Sequence, residues 1–478
     1  MKARIKNLRF LAALPGLCLA AGTLAAQGFP ARADAMLSTG PFAGAMVGVV
    51  FAAADNGEIY YSRNADMQLI PASTAKLATS AAALERLNLD FRFTTTFLMR
   101  NNERGQKQLS ALVWRGTGDP SISRRERASL EDIFEVWAGS LAALGVTSVQ
   151  RLVLDERYFA GPAVHPSWPE GELSYWYQAE TSAIAFNDNC VDLEFQPAAK
   201  PGRRPKIALT PDFGYIKVKN KAVTGVPNSA FTLDYRREPG GNTITFFGSI
   251  PAGRSRKDYV AVHNPALFAA GALKHVWKKK GIRVASIATW ANTGLKEEEL
   301  GTAFTWRSQP LASLVKTVNT NSQNLYAEQI LKALGKEAAQ DGSFAGGGRM
   351  VANYLNEVGI SSSQFRLVDG SGLSVENRFT AAGLVKLLLH LQRAPVFPVY
   401  YESLATAKNR MKGDPLLAAG MRLKRGTTGP ARNLAGYLHS ASGRLYAFAV
   451  LVNAPGLDRP AVDEATDELC LAAARQLP

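Results

Sequence analysis

Apolar side chains run unbroken over residues 46–53 (Met-Val-Gly-Val-Val-Phe-Ala-Ala) and recur over 58–62, with Asp55-Asn56-Gly57 between them. Short apolar runs joined by such a turn predict the two strands of a hairpin. Beyond Pro71 the pattern lengthens, and Ala- and Leu-rich residues 73–87 predict a helix. Near the other end, 420–428, 433–441 and 444–453 predict three β segments, followed by a helix over 460–476. Strands at both ends imply that the two ends of the chain share one antiparallel sheet. Between them, 265–280, 310–334, 344–358 and 380–392 carry helical patterns. Residues 93–261 differ: short alternating segments broken by Gly and Pro, with basic residues clustered from Lys200 to Lys206. That stretch predicts β-rich inserted material, more than one small unit.

With 478 residues the chain has room for about three domains. Its 46% hydrophobic and 20% charged residues exclude wholesale disorder, and no repeat of fixed period marks a solenoid. Three cysteines exclude a disulfide-framed miniprotein and a four-cysteine zinc site.

The first 35 residues read as a secretory leader. Lys2, Arg4, Lys6 and Arg9 precede an apolar run from Phe10 to Ala26, and Ala33-Asp34-Ala35 suggests cleavage before Met36. The run is shorter than the ~20 residues that span a bilayer. Leu17 before Cys18 argues against lipidation. The expected location is therefore periplasmic. Processing lowers the net charge from +15 to +11. In that compartment the abundant anions are wall polymers and lipid head groups, not nucleic acid, so peripheral association with membrane or wall is one reading of the charge. Solubility alone is the other. Cys190 and Cys470 could pair there, although 280 residues separate them.

Candidate chemistry begins at Ser73-Thr74-Ala75-Lys76. A spacing of three at a helix start puts hydroxyl and amine on one face. Serine needs a base, and a lysine with a lowered pKa can be one. The pattern is common, and Ser313-Leu314-Val315-Lys316 repeats it. Serine–lysine acyl transferases also need a Ser-x-Asn and a Lys-Thr-Gly-like strand. Ser322-Gln323-Asn324 follows Ser73, and Lys424-Arg425-Gly426-Thr427 lies 102 residues beyond Ser322.

These blocks, with Pro71-Ala72 before Ser73, Gly116-Thr117-Gly118-Asp119-Pro120, Asn189-Cys190-Val191-Asp192, Leu325-Tyr326-Ala327-Glu328, Asp369-Gly370-Ser371-Gly372-Leu373-Ser374 and Leu434-Ala435-Gly436-Tyr437, occur along almost the whole chain. Together they resemble the D-alanyl-D-alanine carboxypeptidase/endopeptidase family, the class C low-molecular-mass penicillin-binding proteins (peptidase family S13). The resemblance implies an α/β (α+β) fold: a penicillin-binding, β-lactamase-like domain with an antiparallel sheet flanked by helices. It implies an insert of two small domains, so that 36–92 and 262–478 form the catalytic domain around 93–261. It implies Ser73 as acylated nucleophile, Lys76 as base, Ser322 as proton relay, Asn324 as orienter of the substrate amide and Lys424 as electrostatic partner. Ser73 and Thr427 would supply oxyanion-hole N–H groups. Substrates would be peptidoglycan peptides, β-lactams would be covalent ligands, and neither metal nor other cofactor is called for.

Arg425 departs from the family's Lys-Thr-Gly, and Ala405-Thr406-Ala407-Lys408-Asn409-Arg410 replaces its glycine-rich stretch. Arginine could grip a carboxylate, making Arg425, Gly426 and Thr427 candidate substrate-binding residues, or it could crowd the site. The alternative function is therefore a non-catalytic peptidoglycan-binding protein. Asp369-Gly370-Ser371-Gly372 lacks the Gly-x-Ser-x-Gly of a hydrolase elbow and reads as a structural turn at the edge of the site. Gly116-Thr117-Gly118 reads as a turn, the five histidines show no ligand spacing, and Glu85-Arg86-Leu87-Asn88 reads as a helix end.

Overall fold

The computed structural model describes residues 28–123, 132–407, 411 and 415–478. Residues 1–27 of the expected leader and Lys408-Asn409-Arg410 lie outside the described residues. The chain enters through helix α1 (Phe29–Leu37), then strands β1 (Met46–Ala53) and β2 (Ile59–Arg63) and helix α2 (Lys76–Arg86). After a long excursion come helices α3 (Leu311–Thr320), α4 (Asn324–Ala339), α5 (Phe344–Glu357) and α6 (Ala381–Arg393). Strands β3 (Ala405–Thr406), β4 (Met421–Thr427), β5 (Ala431–His439) and β6 (Leu445–Asn453) and helix α7 (Arg459–Gln476) close the chain. The strands form one antiparallel sheet in the order β3-β4-β5-β6-β1-β2. Thus β1 pairs in register with β6, Met46 opposite Asn453 and Ala53 opposite Tyr446. The two chain ends do share a sheet, as the apolar pattern implies.

Both faces of this sheet are covered, which is why its strands read as apolar runs rather than alternations. Side chains still alternate. Ala447, Ala449 and Leu451 face α2 to α6, while Tyr446, Phe448, Val450 and Val452 face α1 and α7. Among the described residues no helix is long and apolar enough to cross a membrane.

Helix α1 runs through the expected cleavage point. Phe29, Ala33 and Leu37 fill the core beneath α7, with the Phe29 ring 5.2 Å from that of Phe51. Asp34 accepts a hydrogen bond from the Tyr61 hydroxyl at 2.7 Å, and Arg32 reaches Glu468 at 3.1 Å. A cut before Met36 would remove formed core. The small residues Ala33 and Ala35 belong to a packed helix.

The excursion also runs longer than expected. Strands 94–100, 112–115, 148–155, 283–289 and 300–307 form one mixed sheet, covered by helices 132–143 and 265–279. Residues 262–307 therefore pair and pack with the insert, and the chain returns to the catalytic core at Leu311. The helical period of 265–280 is real, but period alone does not say which sheet a helix covers. Strands 190–196, 206–210 and 256–261 and two smaller sheets complete the insert on the same continuous core. Cys190 lies in this insert and Cys470 in α7, both buried in different cores, and they are not joined.

Candidate active site

The helix expected over 73–87 starts as a 3-10 turn, Ala72–Ala75, and becomes α-helical at Lys76. Two glycines press on this turn from opposite sides. A Cβ on Gly426 would stand 2.5 Å from the Pro71 carbonyl oxygen and 3.2 Å from the Ser73 nitrogen. A Cβ on Gly372 would stand 1.8 Å from the Ala72 carbonyl oxygen. Only glycine allows both approaches. Ala72 itself sits at φ +47°, a conformation that costs a non-glycine residue about 1–3 kcal/mol and persists because its surroundings impose it.

Ser73 is half-buried, and Lys76 beside it is fully buried. The Lys76 Nζ lies 2.9 Å from Ser73 Oγ, 2.7 Å from Asn324 Oδ1 and 2.7 Å from the Ser371 carbonyl oxygen. Burial pushes its pKa down to about 7, against the opposing pull of Glu328 and Asp369. A neutral amine has two hydrogens and one lone pair. The two carbonyl-type oxygens can only accept, so they take the hydrogens and the lone pair is left for the Ser73 hydroxyl. In its neutral form the Lys76 amine thus has its lone pair toward the Ser73 hydroxyl.

Asn324 opens α4. Its Oδ1 holds Lys76 and its Nδ2 donates to the Tyr177 carbonyl at 2.7 Å, so here it positions the lysine rather than waiting for substrate. Ser322 sits at φ +58° on the turn before it. Lys424, buried on β4, donates to Ser322 Oγ at 2.7 Å. Ser73, Lys76, Ser322, Asn324 and Lys424, drawn from three distant segments, thus meet in one cleft.

Strand parity fixes the rest of β4. Thr428 N donates to the Ala431 carbonyl, so the even-numbered residues of β4 bond to β5 and the Thr427 N–H turns to the opposite edge. A Cβ on Gly426 would meet the Ser73 nitrogen on the face of β4 that also carries Lys424. Lys424 and Arg425 point to opposite faces for the same reason. Arg425 does not line the cleft: it runs to α7, where it meets Asp463 at 3.1 Å and Asp467 at 2.6 Å, with 17% of its side chain exposed. The expectation that Arg425 binds a substrate carboxylate is corrected. So is its opposite, that it crowds the site.

The Asp369–Ser374 turn does more than edge the site. Both oxygens of Glu328 accept backbone N–H groups at 2.8 Å, from Gly370 and Ser371. Asp369 accepts from Gly372 N, Ser374 N, Asn377 Nδ2 and the Trp168 indole. Burial and the Asp369 charge push the Glu328 pKa up, while the two N–H groups favour its ionised form. The roles of Glu328, Asp369 and the Ser371 carbonyl are not drawn from the sequence alone. One signal existed: Glu328 falls one turn after Asn324 on the otherwise buried face of α4. Nothing in the sequence points to the Tyr177 carbonyl.

The profile of the D-Ala-D-Ala carboxypeptidase 3 (S13) family matches residues 30–476. The chain belongs to this family. A D-alanyl-D-alanine carboxypeptidase of Actinomadura sp. is 32% identical over 443 residues, covering 88% of this chain and 80% of that one. The DacB D-alanyl-D-alanine carboxypeptidase of Haemophilus influenzae is 25% identical over 427 residues and 86% of each chain. The crystal structure of Haemophilus influenzae penicillin-binding protein 4 superposes with a TM-score of 0.80 at 22% identity, over 93% of this chain and 99% of that one. A second structure of that protein, complexed with a β-lactam, gives 0.75. The S13 match runs from α1 to the end of α7. As an S13 member this chain is a serine-type D-Ala-D-Ala carboxypeptidase, a hydrolase of the cell wall, with the fold of the penicillin-binding proteins.

Proposed function

We propose that Ser73 is the acylated nucleophile of this carboxypeptidase. The neutral Lys76 amine takes the Ser73 proton as Oγ attacks the carbonyl of the penultimate D-alanine. The Ser73 and Thr427 N–H groups receive the oxyanion of the tetrahedral intermediate. Collapse breaks the C–N bond, and the departing amine takes a proton through Ser322, whose hydroxyl Lys424 holds. Water then hydrolyses the ester, returning Ser73. The observation that carries this reading is the placement of Lys76, two of whose three contacts can only accept. Gly426 serves by having no side chain, and Thr427 by its N–H.

β-Lactams would acylate the same hydroxyl. Peptidoglycan peptides reach it outside the cytoplasm, in the periplasm, after a leader is removed at or before Gly28. Such a cut still lowers the charge to +11, because Lys2, Arg4, Lys6 and Arg9 all precede it. The non-catalytic alternative loses one of its two motives with Arg425 bound to α7.

A fluorescent penicillin tests the assignment. The mature protein should label stoichiometrically and the Ser73→Ala variant not at all, and label surviving in Ser73→Ala would refute it. Mass spectrometry of products from a pentapeptide and from a cross-linked dimer separates carboxypeptidase from endopeptidase action.

A further inference from the structure

The positive charge of this chain is not spread evenly. Residues 200–257 contain twelve Lys and Arg against three Asp and Glu, a net +9. With +4 in the leader, only +2 remains for everything else, since the total is +15. A charge kept for solubility alone has no reason to collect in one small part of the insert. All twelve cations except Arg237 are exposed.

The strands here show how the charge is displayed. In the sheet of Lys217–Asn220, Thr243–Phe247 and Asp234–Arg237, Thr245 stands opposite both Arg236 and Lys219, and Thr243 opposite Lys217. Residues opposite one another share a face. Lys217, Lys219 and Arg236 therefore lie together, and Phe247, two residues beyond Thr245, lies with them at 41% exposure. The other face carries Tyr235, Ile244 and Phe246 into the core. Acidic groups near this face are few: Glu238 pairs with Lys219 at 2.7 Å, and Asp234 accepts from the Tyr175 hydroxyl. A second edge repeats the composition. The turn bearing Lys200, Arg203 and Arg204 is hydrogen-bonded to Thr224, flanked by exposed Val223 and Val226.

We infer that residues 200–257 form a docking surface for an anionic phospholipid bilayer, with Lys217, Lys219 and Arg236 meeting phosphates and Phe247 entering the head-group layer. The interleaved apolar side chains select the bilayer over an anionic wall polymer. A hydrated polyelectrolyte offers a phenylalanine nothing, whereas the boundary below the phosphates does. The surface holds the enzyme peripherally and belongs to none of the catalytic groups. The inference rests on the extracytoplasmic placement proposed above.

Co-sedimentation of the mature protein with vesicles tests it. Binding is expected to phosphatidylglycerol-containing vesicles and not to pure phosphatidylcholine, and to weaken as salt rises. The triple variant Lys217→Glu, Lys219→Glu, Arg236→Glu should bind about a hundredfold or more weaker, and Phe247→Ser measurably weaker, with penicillin labelling of both unchanged. Should the triple variant fail to label, Lys200→Ala with Arg203→Ala and Arg204→Ala in the exposed turn takes its place, with the same loss expected. Absence of binding to anionic vesicles, equal binding to neutral ones, or binding unmoved by the charge variants overturns the inference. Binding to soluble polyphosphate that displaces the vesicles, with no effect of Phe247→Ser, overturns it in favour of a polymer. Penicillin labelling reports the active-site reading separately, so the two fail independently.

Discussion

The Ser371 carbonyl oxygen lies 2.7 Å from the Lys76 Nζ, so a main-chain atom on a loop 295 residues away helps orient this amine. That carbonyl is held in turn by Glu328, through the N–H groups of Gly370 and Ser371.

The acylation rate should follow the neutral fraction of Lys76. With its pKa brought down to about 7 by burial, the second-order rate of penicillin acylation should fall about tenfold per pH unit below 7 and level off above it. A rising limb centred near the ordinary lysine value of 10.5 would contradict this. The same depression affects stability. Between pH 7 and 10.5 the unfolded chain binds more protons at this site than the folded one. Lys76 therefore makes the fold less stable as pH falls through that window, and has no further effect below it.

Glu328→Gln should lower the acylation rate about 10- to 100-fold, because the new amide N–H₂ faces backbone donors and leaves one buried N–H unmet. It should also shift the pH midpoint downward, since the Glu328 charge favours the ammonium form of Lys76. A loss of rate with an unmoved midpoint would mean that the carboxylate acts only on the loop's shape.

Arg425→Thr should leave penicillin acylation within about threefold of the parent, since the guanidinium faces α7. Losing the contacts to Asp463 and Asp467 should cost about 1 kcal/mol, seen as a fall of about one degree in Tm. More than a tenfold change in acylation would place Arg425 back in the cleft.

Gly426→Ala should abolish detectable labelling, because the added methyl meets the Pro71 carbonyl and pushes β4 away from Ser73. Gly429→Ala, three residues on and facing open space, is the control and should label normally.

A chain beginning at Met36 should be much less stable than one beginning at Gly28. Loss of the Phe29 ring alone is comparable to a buried Phe→Ala change, about 3–5 kcal/mol. The measurement is thermal unfolding of the two chains, and equal Tm values would restore the cut before Met36. Mass spectrometry of the secreted protein should find its N-terminus at or before Phe29.

Much of the catalytic half was legible because its signals are local. Apolar runs gave β1, β2, β5 and β6, and three short motifs brought out Ser73, Ser322 and Lys424. What was not legible depends on partners far along the chain. Residues 265–280 are helical by period, yet their host sheet is decided by strands 148–155 and 283–289, which no local pattern connects. Arg425 was misread because a motif is one-dimensional: its face depends on strand parity and on Asp463 and Asp467, which lie on a helix after the last strand. The Ala33-Asp34-Ala35 sequence is ambiguous for a related reason, since small residues suit a protease cleft and a packed helix equally well.

The pairing of β1 with β6 has a consequence for the order in which this enzyme comes into being. Residues 46–53 cannot complete their sheet until residues 445–453 have been synthesised. The insert lies between them and can reach its own core while its host is still waiting. A chain interrupted shortly after Lys424 would carry every catalytic side chain and no β5, β6 or α7 to hold them. Reactivity toward penicillin therefore reports that the last tenth of the molecule has arrived, which makes the antibiotic a probe of finished manufacture as well as of chemistry.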